Sequence, residues 1–276
     1  MLQADKCGLS GLVSNYSNKR RCPTLIFASK SMPKTSKSKQ WADGALSCLI
    51  AELDTMIELL NCDCMEYMAT VPDKYFDLAI VDPPYGIGCD GVGMSGRKSN
   101  SVKFKNYQGS SYTGGKWDSS PPEFEYFKEL LRISKNQIIW GANHFIDRVA
   151  LPSPCWLVWY KKQNPNDNAA DCELAYTSFK TAVRMLSLQW SGFGHINIGE
   201  TRIHPTQKPV KLYEWLLTNY AKKGQRILDT HLGSGSSAIA AHYFGVDFVG
   251  CELDKDYFEA AKARFDMATK QLAMSI

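Results

Sequence analysis

From Met56 onward the hydrophobic positions switch repeatedly between short continuous runs and longer stretches with apolar residues three and four apart, a pattern that predicts strands interleaved with helices. Ile57 to Asn61 reads as a short strand, and Cys64 to Thr70 as a short helix closed by Val71-Pro72. Phe76 to Asp82 is a strand, and Glu123 to Ser134 a helix with Phe124, Phe127, Leu130 and Leu131 at core spacing. Gln137 to Trp140 is a strand, Ala142 to Val149 a helix stopped near Pro152, and Trp156 to Tyr160 and Glu173 to Phe179 are further strands. Pro209 opens a helix through Leu212, Trp215, Leu216 and Tyr220, with Gly224 just beyond its end. Ile227 to Asp229, Ala238 to Phe244, Phe248 to Glu252 and Asp256 to Met267 then close the chain as β-α-β-α. The alternation implies an α/β fold with a mostly parallel sheet.

Residues 1–55 break this pattern. Lys19, Arg20, Arg21, Lys30, Lys34, Lys37 and Lys39 stand among serines and threonines without a sustained period, which is the composition of a basic extension lacking its own core. The same composition fits sequence upstream of a start near Met56, a basic arm on DNA, or a transit peptide. Residues 56–276 form the expected catalytic domain. Across the whole chain of 276 residues, 44% are hydrophobic, enough for a sizeable core, and the net charge of +4 does not by itself demand a nucleic-acid partner. The nine cysteines are odd in number, scattered and mostly within apolar runs, as reduced thiols of a cytosolic protein are. Cys62-Asp63-Cys64 lacks the second ligand pair that a metal site needs, so no metal is expected. No apolar stretch approaches the roughly 20 residues that span a bilayer, so no membrane partner is expected either.

The chemistry concentrates first at Asp82-Pro83-Pro84-Tyr85, directly after the apolar run Phe76 to Val81. An exocyclic amine on a heteroaromatic base is flat and weakly nucleophilic, because its lone pair is delocalised into the ring. The Asp82 carboxylate and the Pro83 carbonyl can each accept one amine hydrogen, which favours a pyramidal nitrogen with a localised lone pair. Pro83 and Pro84 fix their own φ angles and hold the preceding residues extended, so the acceptors are set in advance. Tyr85 is expected to stack on the base face, a contact worth about 1–3 kcal/mol in other stacked bases. A plain proline turn after a strand contains the same residues, so the rest of the chain must decide.

A second site lies at Asp229-Thr230-His231-Leu232-Gly233-Ser234-Gly235-Ser236-Ser237, between a strand and a helix, with Glu252 ending the following strand. Glycines there let the backbone approach a ligand, and an acid on the next strand tip suits ribose hydroxyls. The G-x-G-x-x-A spacing at 233 to 238 serves a nicotinamide dehydrogenase equally well. Asp229 discriminates, because a carboxylate beside the ligand repels a pyrophosphate and suits the ammonium of S-adenosylmethionine.

The order of Asp82-Pro83-Pro84-Tyr85, then His204-Pro205-Thr206-Gln207-Lys208-Pro209, then the Gly-Ser-Gly turn resembles the beta group of amino DNA methyltransferases, which act on adenine N6 or cytosine N4. The resemblance covers about residues 56 to 268. It implies a circularly permuted seven-stranded, Rossmann-like methyltransferase sheet with helices on both faces, the catalytic half preceding the cofactor half, and S-adenosylmethionine as cofactor. By the same resemblance Asp63 and Cys64 line the pocket for the cofactor adenine; Asp229, Gly233, Ser234 and Gly235 form the cofactor loop; Glu252 meets the ribose; and Thr206 or Lys208 meets the methionine carboxylate. Trp140-Gly141-Ala142-Asn143-His144-Phe145 also looks familial, without an assigned role. Thr230-His231 departs from the Pro-Phe of many relatives, and His231 is expected to supply the missing ring. Asp rather than Ser at position 82 leans toward adenine N6, with cytosine N4 as the alternative.

Two segments are expected to meet double-stranded DNA. Residues 86–120 are rich in Gly and Ser, with Arg97, Lys98, Lys103, Lys105 and Lys116 around Tyr107 and Tyr112, a composition suited to a strand-binding loop. Residues 161–203 carry Lys162, Gln163, Asn164, Asn166, Arg184, Gln189 and Arg202, which can read base edges, and the resemblance places target recognition there. The target base would leave the stack and enter the pocket beside Tyr85. The resemblance further implies a cytoplasmic protein of bacterial or phage origin working at the nucleoid, with a restriction endonuclease and a second copy of the chain as candidate partners. A dehydrogenase leaves the proline tetrapeptide and the His204 to Pro209 segment without a task. A non-catalytic DNA-binding module, and an enzyme methylating amines of RNA or protein, are separable only by assay.

Overall fold

The structure, a computed structural model, describes residues 55–88, 117–149, 152–162, 170–190, 200 and 202–273, all within one unit spanning residues 48–276. Eight strands form a single sheet: β1 (Ile57–Asn61), β2 (Phe76–Val81), β3 (Ser134–Trp140), β4 (Trp156–Tyr160), β5 (Cys172–Thr177), β6 (Arg184–Ser187), β7 (Arg226–Asp229) and β8 (Asp247–Glu252). Their spatial order is β1-β8-β7-β2-β3-β5-β4-β6. Neighbours from β1 through β3 run parallel, β5 is antiparallel to both β3 and β4, and β6 pairs parallel with β4. The first seven strands in that order are the permuted sheet the sequence implies. β6 is an addition at the edge.

Among the described residues six α-helices accompany the sheet: α1 (Cys64–Thr70), α2 (Phe124–Ile133), α3 (Ile146–Val149), α4 (Val210–Tyr220), α5 (Ser236–Phe244) and α6 (Lys255–Ala273). Alternation along β2 sorts them onto two faces. Leu78 and Ile80 join the core that includes Leu212, Leu216, Ala240 and Ala261 of α4, α5 and α6. Ala79 and Val81 join the other, with Met68, Phe127, Leu130 and Val149 of α1, α2 and α3. A strand with apolar residues on both faces needs helices on both, and the run Leu78 to Val81 is buried for that reason.

The element ends follow local chemistry. Asp63 caps α1 by accepting the Met65 N–H at 2.7 Å, and α5 is bounded by Gly235 and Gly245, both left-handed. At Gly235 a Cβ would also lie 3.3–3.4 Å from Ala261 of α6, so the glycine serves both the turn and the close approach of the helix behind it.

Three expectations shift. The helix expected over Ala142 to Val149 is a 3₁₀ turn, Ala142–His144, followed by the short α3, because Gly141 turns left-handed at its start. α6 runs to Ala273, beyond Met267. Phe124, at core spacing in the sequence, opens α2 with its side chain 51% exposed, whereas Phe127 is 1% exposed. The extension over residues 1–54 and most of the DNA-facing loop, residues 89–116, lie outside the described residues, as do 163–169, 191–199 and 201 of the recognition segment. Among the described residues no helix is long and apolar enough to cross a membrane.

The two phenylalanines make a matched test of the core. Phe127→Ala is expected to cost about 3–5 kcal/mol in chemical denaturation, while Phe124→Ala stays within about 1 kcal/mol of the parent.

Candidate active site

β2 and β7 are parallel neighbours, yet their chain connections leave in opposite directions, β2 toward β3 and β7 toward β8. The loops at their carboxyl ends must therefore part, and a crevice opens between them, the place where open α/β sheets hold ligands. It is a cavity of about 640 Å³. Asp82 and Pro84 reach it from β2, Thr230 to Ser234 from β7, Glu252 to Lys255 from β8, and Cys62 to Cys64 from β1. His204, Thr206, Gln207 and Lys208 line it from the segment ahead of α4. These five separate stretches of sequence meet in one space.

The turn after β2 is held by a residue the sequence did not single out. The Asp118 carboxylate, buried, accepts the N–H groups of Tyr85 and Gly86, each at 2.8 Å, and its own carbonyl accepts Gly88 N–H at 3.1 Å. Trp117, next to it, lines the cavity with its ring centroid 5.4 Å from that of His204. Tyr85 stands behind Pro84. Its ring stacks on His144 at a centroid distance of 5.1 Å and 16° between planes, and its hydroxyl donates to Asp82 Oδ1 at 2.7 Å. The stacking surface expected for an incoming base is thus packed against the protein itself. Gly141 makes the packing possible: at φ +69° its added Cβ would sit 2.1 Å from the Tyr85 ring. The familial segment Trp140 to Phe145 acquires a task here, as the bed for Tyr85.

Asp82 also binds Lys208, whose Nζ lies 2.5 Å from Asp82 Oδ2, 3.0 Å from Glu173 Oε2 and 3.1 Å from the Tyr85 hydroxyl. Glu173 in turn pairs with Lys161 at 2.6 Å. Burial pushes the Asp82 carboxyl above the ordinary range of an aspartate, with Lys208 pulling the other way. Glu173 is buried as well, but Lys208 and Lys161 override that and hold it down to about 2. Burial disfavours a charged Lys208; Asp82 and Glu173 more than compensate, so its pKa rises. The resemblance offers Thr206 or Lys208 to a methionine carboxylate, and here Lys208 is paired with Asp82 and Glu173.

The cofactor half is organised by carboxylates bound to backbone. Glu252 accepts Gly233 N–H at 2.8 Å and Asp254 N–H at 3.0 Å, leaving one acceptor site on each oxygen toward the cavity. Asp229 differs from expectation. It lies behind the cavity wall, accepting the Ser237 hydroxyl at 2.6 Å and the His231 N–H at 3.0 Å, and burial raises its pKa to about 7. Gly235 likewise stands behind the wall, whereas Asp63, Cys64, Thr206, Gly233 and Ser234 line it. His231 supplies a ring to the wall, and burial lowers its pKa to about 4. A hydroxyl chain unread in the sequence fixes that ring: Tyr126 to Thr230 at 2.6 Å, and Thr230 to His231 Nδ1 at 3.0 Å. His204, buried, covers Gly233, and its Nδ1 meets the Thr206 hydroxyl at 3.1 Å. Arg264 of α6 clamps the turn by donating to the Ser234 carbonyl and Ser236 hydroxyl, both at 2.8 Å, and to Glu200 at 2.7 Å.

The lining carries four carboxylates, Asp63, Asp82, Glu252 and Asp254, against two lysines, one of which, Lys208, is already paired. Such a cavity favours a cationic ligand over a pyrophosphate. Among the described residues no group of His, Cys, Asp and Glu is placed to hold a metal ion.

Comparison with known proteins agrees with this geometry. The sequence profile of the DNA methylase family N6_N4_Mtase matches residues 135–263, the stretch running from β3 through the glycine turn into α6. Over that stretch the chain is similar to the amino DNA methyltransferases. It is 24% identical over 251 residues to the Type II methyltransferase M2.DpnII of Streptococcus pneumoniae, a match covering 75% of this chain and 89% of that protein. It is also 24% identical over 261 residues to the Type II methyltransferase M2.MboI of Moraxella bovis, covering 79% and 91%. The fold matches the crystal structure of the M1.HpyAVI-SAM complex with a TM-score of 0.50 at 20% identity, over 76% of this chain and 100% of that one. It also matches the cytosine-N4-specific PvuII DNA methyltransferase with a TM-score of 0.50 at 12% identity, over 78% and 92%. The profile begins after β2, so the placement of Asp82 to Tyr85 rests on the geometry described above.

Gly141→Ala is expected to push Tyr85 off its bed and move the Asp82 acceptor. Activity should fall by about a hundredfold, the scale of a 1 Å misplacement, while far-ultraviolet circular dichroism keeps its folded shape. Wild-type activity in the variant would show that Tyr85 packing does not set the site.

Proposed function

We propose that the protein methylates the exocyclic amine of a base flipped out of duplex DNA, adenine N6 in preference to cytosine N4, with S-adenosylmethionine as methyl donor. The observation that carries this reading is the meeting of the Asp82 carboxylate with the glycine turn in one cavity where carboxylates outnumber lysines. Asp82 and the Pro83 carbonyl accept the amine hydrogens and turn the nitrogen lone pair toward the glycine side of the cavity. Pro84 forms the adjoining wall, with Tyr85 bracing Asp82 from behind. Glu252 is placed to receive the ribose hydroxyls, with Asp63, Cys64, His231 and Leu232 around the nucleoside. Thr206 and the backbone of Gly233 and Ser234, which line the cavity, are assigned to the methionine end. S-adenosylmethionine, when bound, supplies an electrophilic methyl carbon on a cationic sulfur. After transfer, the surplus proton on the amine passes to Asp82 or to water.

The preference for adenine rests on Asp at position 82, since cytosine-N4 relatives often carry serine there. Duplex DNA as substrate is supported by the family, with contacts from the loop spanning 86–120 and recognition from 161–203. The Type II designation of the relatives supports a restriction endonuclease as functional counterpart, while the nucleoid as the place of work rests on sequence resemblance alone. The homodimer rests on sequence resemblance alone. Residues 1–55 are a basic extension to the methyltransferase domain.

Expression in a methylation-free bacterium, followed by modification-sensitive sequencing of its DNA, should reveal N6-methyladenine within one short sequence. Methylcytosine at N4 would transfer the reading to the alternative base, and unmodified DNA would contradict it. Asp82→Ala should reduce methyl transfer to duplex DNA by about 10²-fold or more while S-adenosylmethionine binding, measured by calorimetry, persists. Full activity in that variant refutes the catalytic assignment. Because burial raises the Asp82 pKa and the carboxylate is the active form, kcat should fall as pH drops through a limb lying above the value of about 3.9 for a free aspartate.

A further inference from the structure

Glu173 belongs to no motif in this chain, yet it shares the ammonium that Asp82 holds. Lys208 has three N–H bonds and three acceptors within reach, Asp82, Glu173 and the Tyr85 hydroxyl, so its position is fully specified. Glu173 is itself fixed, because its second oxygen takes Lys161 at 2.6 Å. The four charges come from four places in the fold: the end of β2, the segment ahead of α4, β5, and the residue after β4. All are largely buried, with side-chain exposures of 4% for Lys208, 14% for Lys161, 15% for Asp82 and 20% for Glu173. A buried charge set of this kind is held together only if every member is paired.

We propose that Glu173 is a positioning residue for amine methylation, holding the Lys208 ammonium between two carboxylates so that the substrate amine can take the place of Lys208 at Asp82. The inference rests on the function argued above. Glu173 gives the Lys208 ammonium a second carboxylate, and because Lys161 balances it the four side chains sum to zero charge. It also offers Lys208 somewhere to lean when the amine hydrogen arrives at Asp82, so the acceptor is freed without leaving an ammonium unpaired. Lys161 keeps Glu173 ionised and in register on β5.

The pH dependence follows from the groups that face Asp82: Lys208 ahead of α4, Glu173 on β5, Tyr85 after β2, Tyr213 on α4 and Asp229 at the tip of β7. The Glu173 charge favours the protonated form of Asp82, so Glu173→Gln lets Asp82 ionise at lower pH. Lys161→Met leaves the Glu173 charge less balanced and does the opposite.

The test is steady-state methylation of duplex DNA across pH by the full-length wild type, Glu173→Gln and Lys161→Met, with melting temperatures recorded alongside. Glu173→Gln should lower kcat by roughly tenfold or more, with KM for DNA and for S-adenosylmethionine changed by less than about threefold. Its acid limb should move to lower pH, and that of Lys161→Met to higher pH. Unchanged kcat in Glu173→Gln, or acid limbs that stay put or move together in the two variants, overturns the proposal. Should Glu173→Gln not fold, the Lys161→Met limb decides: an upward shift supports it, and no shift or a downward one overturns it. A wild type inactive on unmethylated DNA overturns the functional reading itself, a result that does not depend on either variant.

Discussion

The sheet carries its active site because β2 and β7 lie side by side while the chain leaves them in opposite directions. No loop can cross from one strand end to the other there, so the backbone opens a crevice and each strand tip projects its next residues into it. On one side the tip continues into Asp82 and two prolines, and on the other into a turn rich in glycine and serine. Chemistry that needs a polarised amine on one wall and a cationic donor on the other requires such an opening and little else from the fold.

The crevice places acids close together, and burial alone would drive them to protonate. The structure answers this differently on its two walls. On the cofactor side, Asp229 and Glu252 spend their acceptors on backbone N–H groups and a serine hydroxyl, which shapes the turn and leaves Glu252 with sites free toward the cavity. On the catalytic side the answer is ionic: Lys208 and Lys161 alternate with Asp82 and Glu173. Tyr85 joins the two kinds of support, since its hydroxyl reaches Asp82 while its ring rests on Gly141 and His144. The aromatic of the tetrapeptide therefore rigidifies the acceptor, and the cavity wall nearest it is formed by Pro84 and Trp117.

Much of this was legible in the residues. The tetrapeptide, the glycine turn and the strand-end acid are local signals, each set by backbone chemistry over a few positions, and the first seven strands of the sheet follow from hydrophobic runs. What escaped reading was carried by contacts between distant segments. Glu173 and Lys161 look like ordinary residues of an antiparallel pair until β5 and β4 bring them under Lys208. Asp118 looks like a loop acid until it collects two N–H groups from a turn 32 and 33 residues earlier. β6 gave no signal because most of its residues are exposed at the sheet edge and show no alternation. Asp229 ends β7, but whether its carboxylate faces the ligand or the helix behind depends on Ser237, the second residue of α5.

A ternary crystal structure with an unreactive S-adenosylmethionine analogue and duplex DNA containing the methylated sequence tests the account most directly. It should show the target amine nitrogen about 3 Å from an Asp82 oxygen and from the Pro83 carbonyl, with Lys208 displaced toward Glu173. An amine beyond hydrogen-bond reach of Asp82, with the ammonium still seated on that carboxylate, would contradict it.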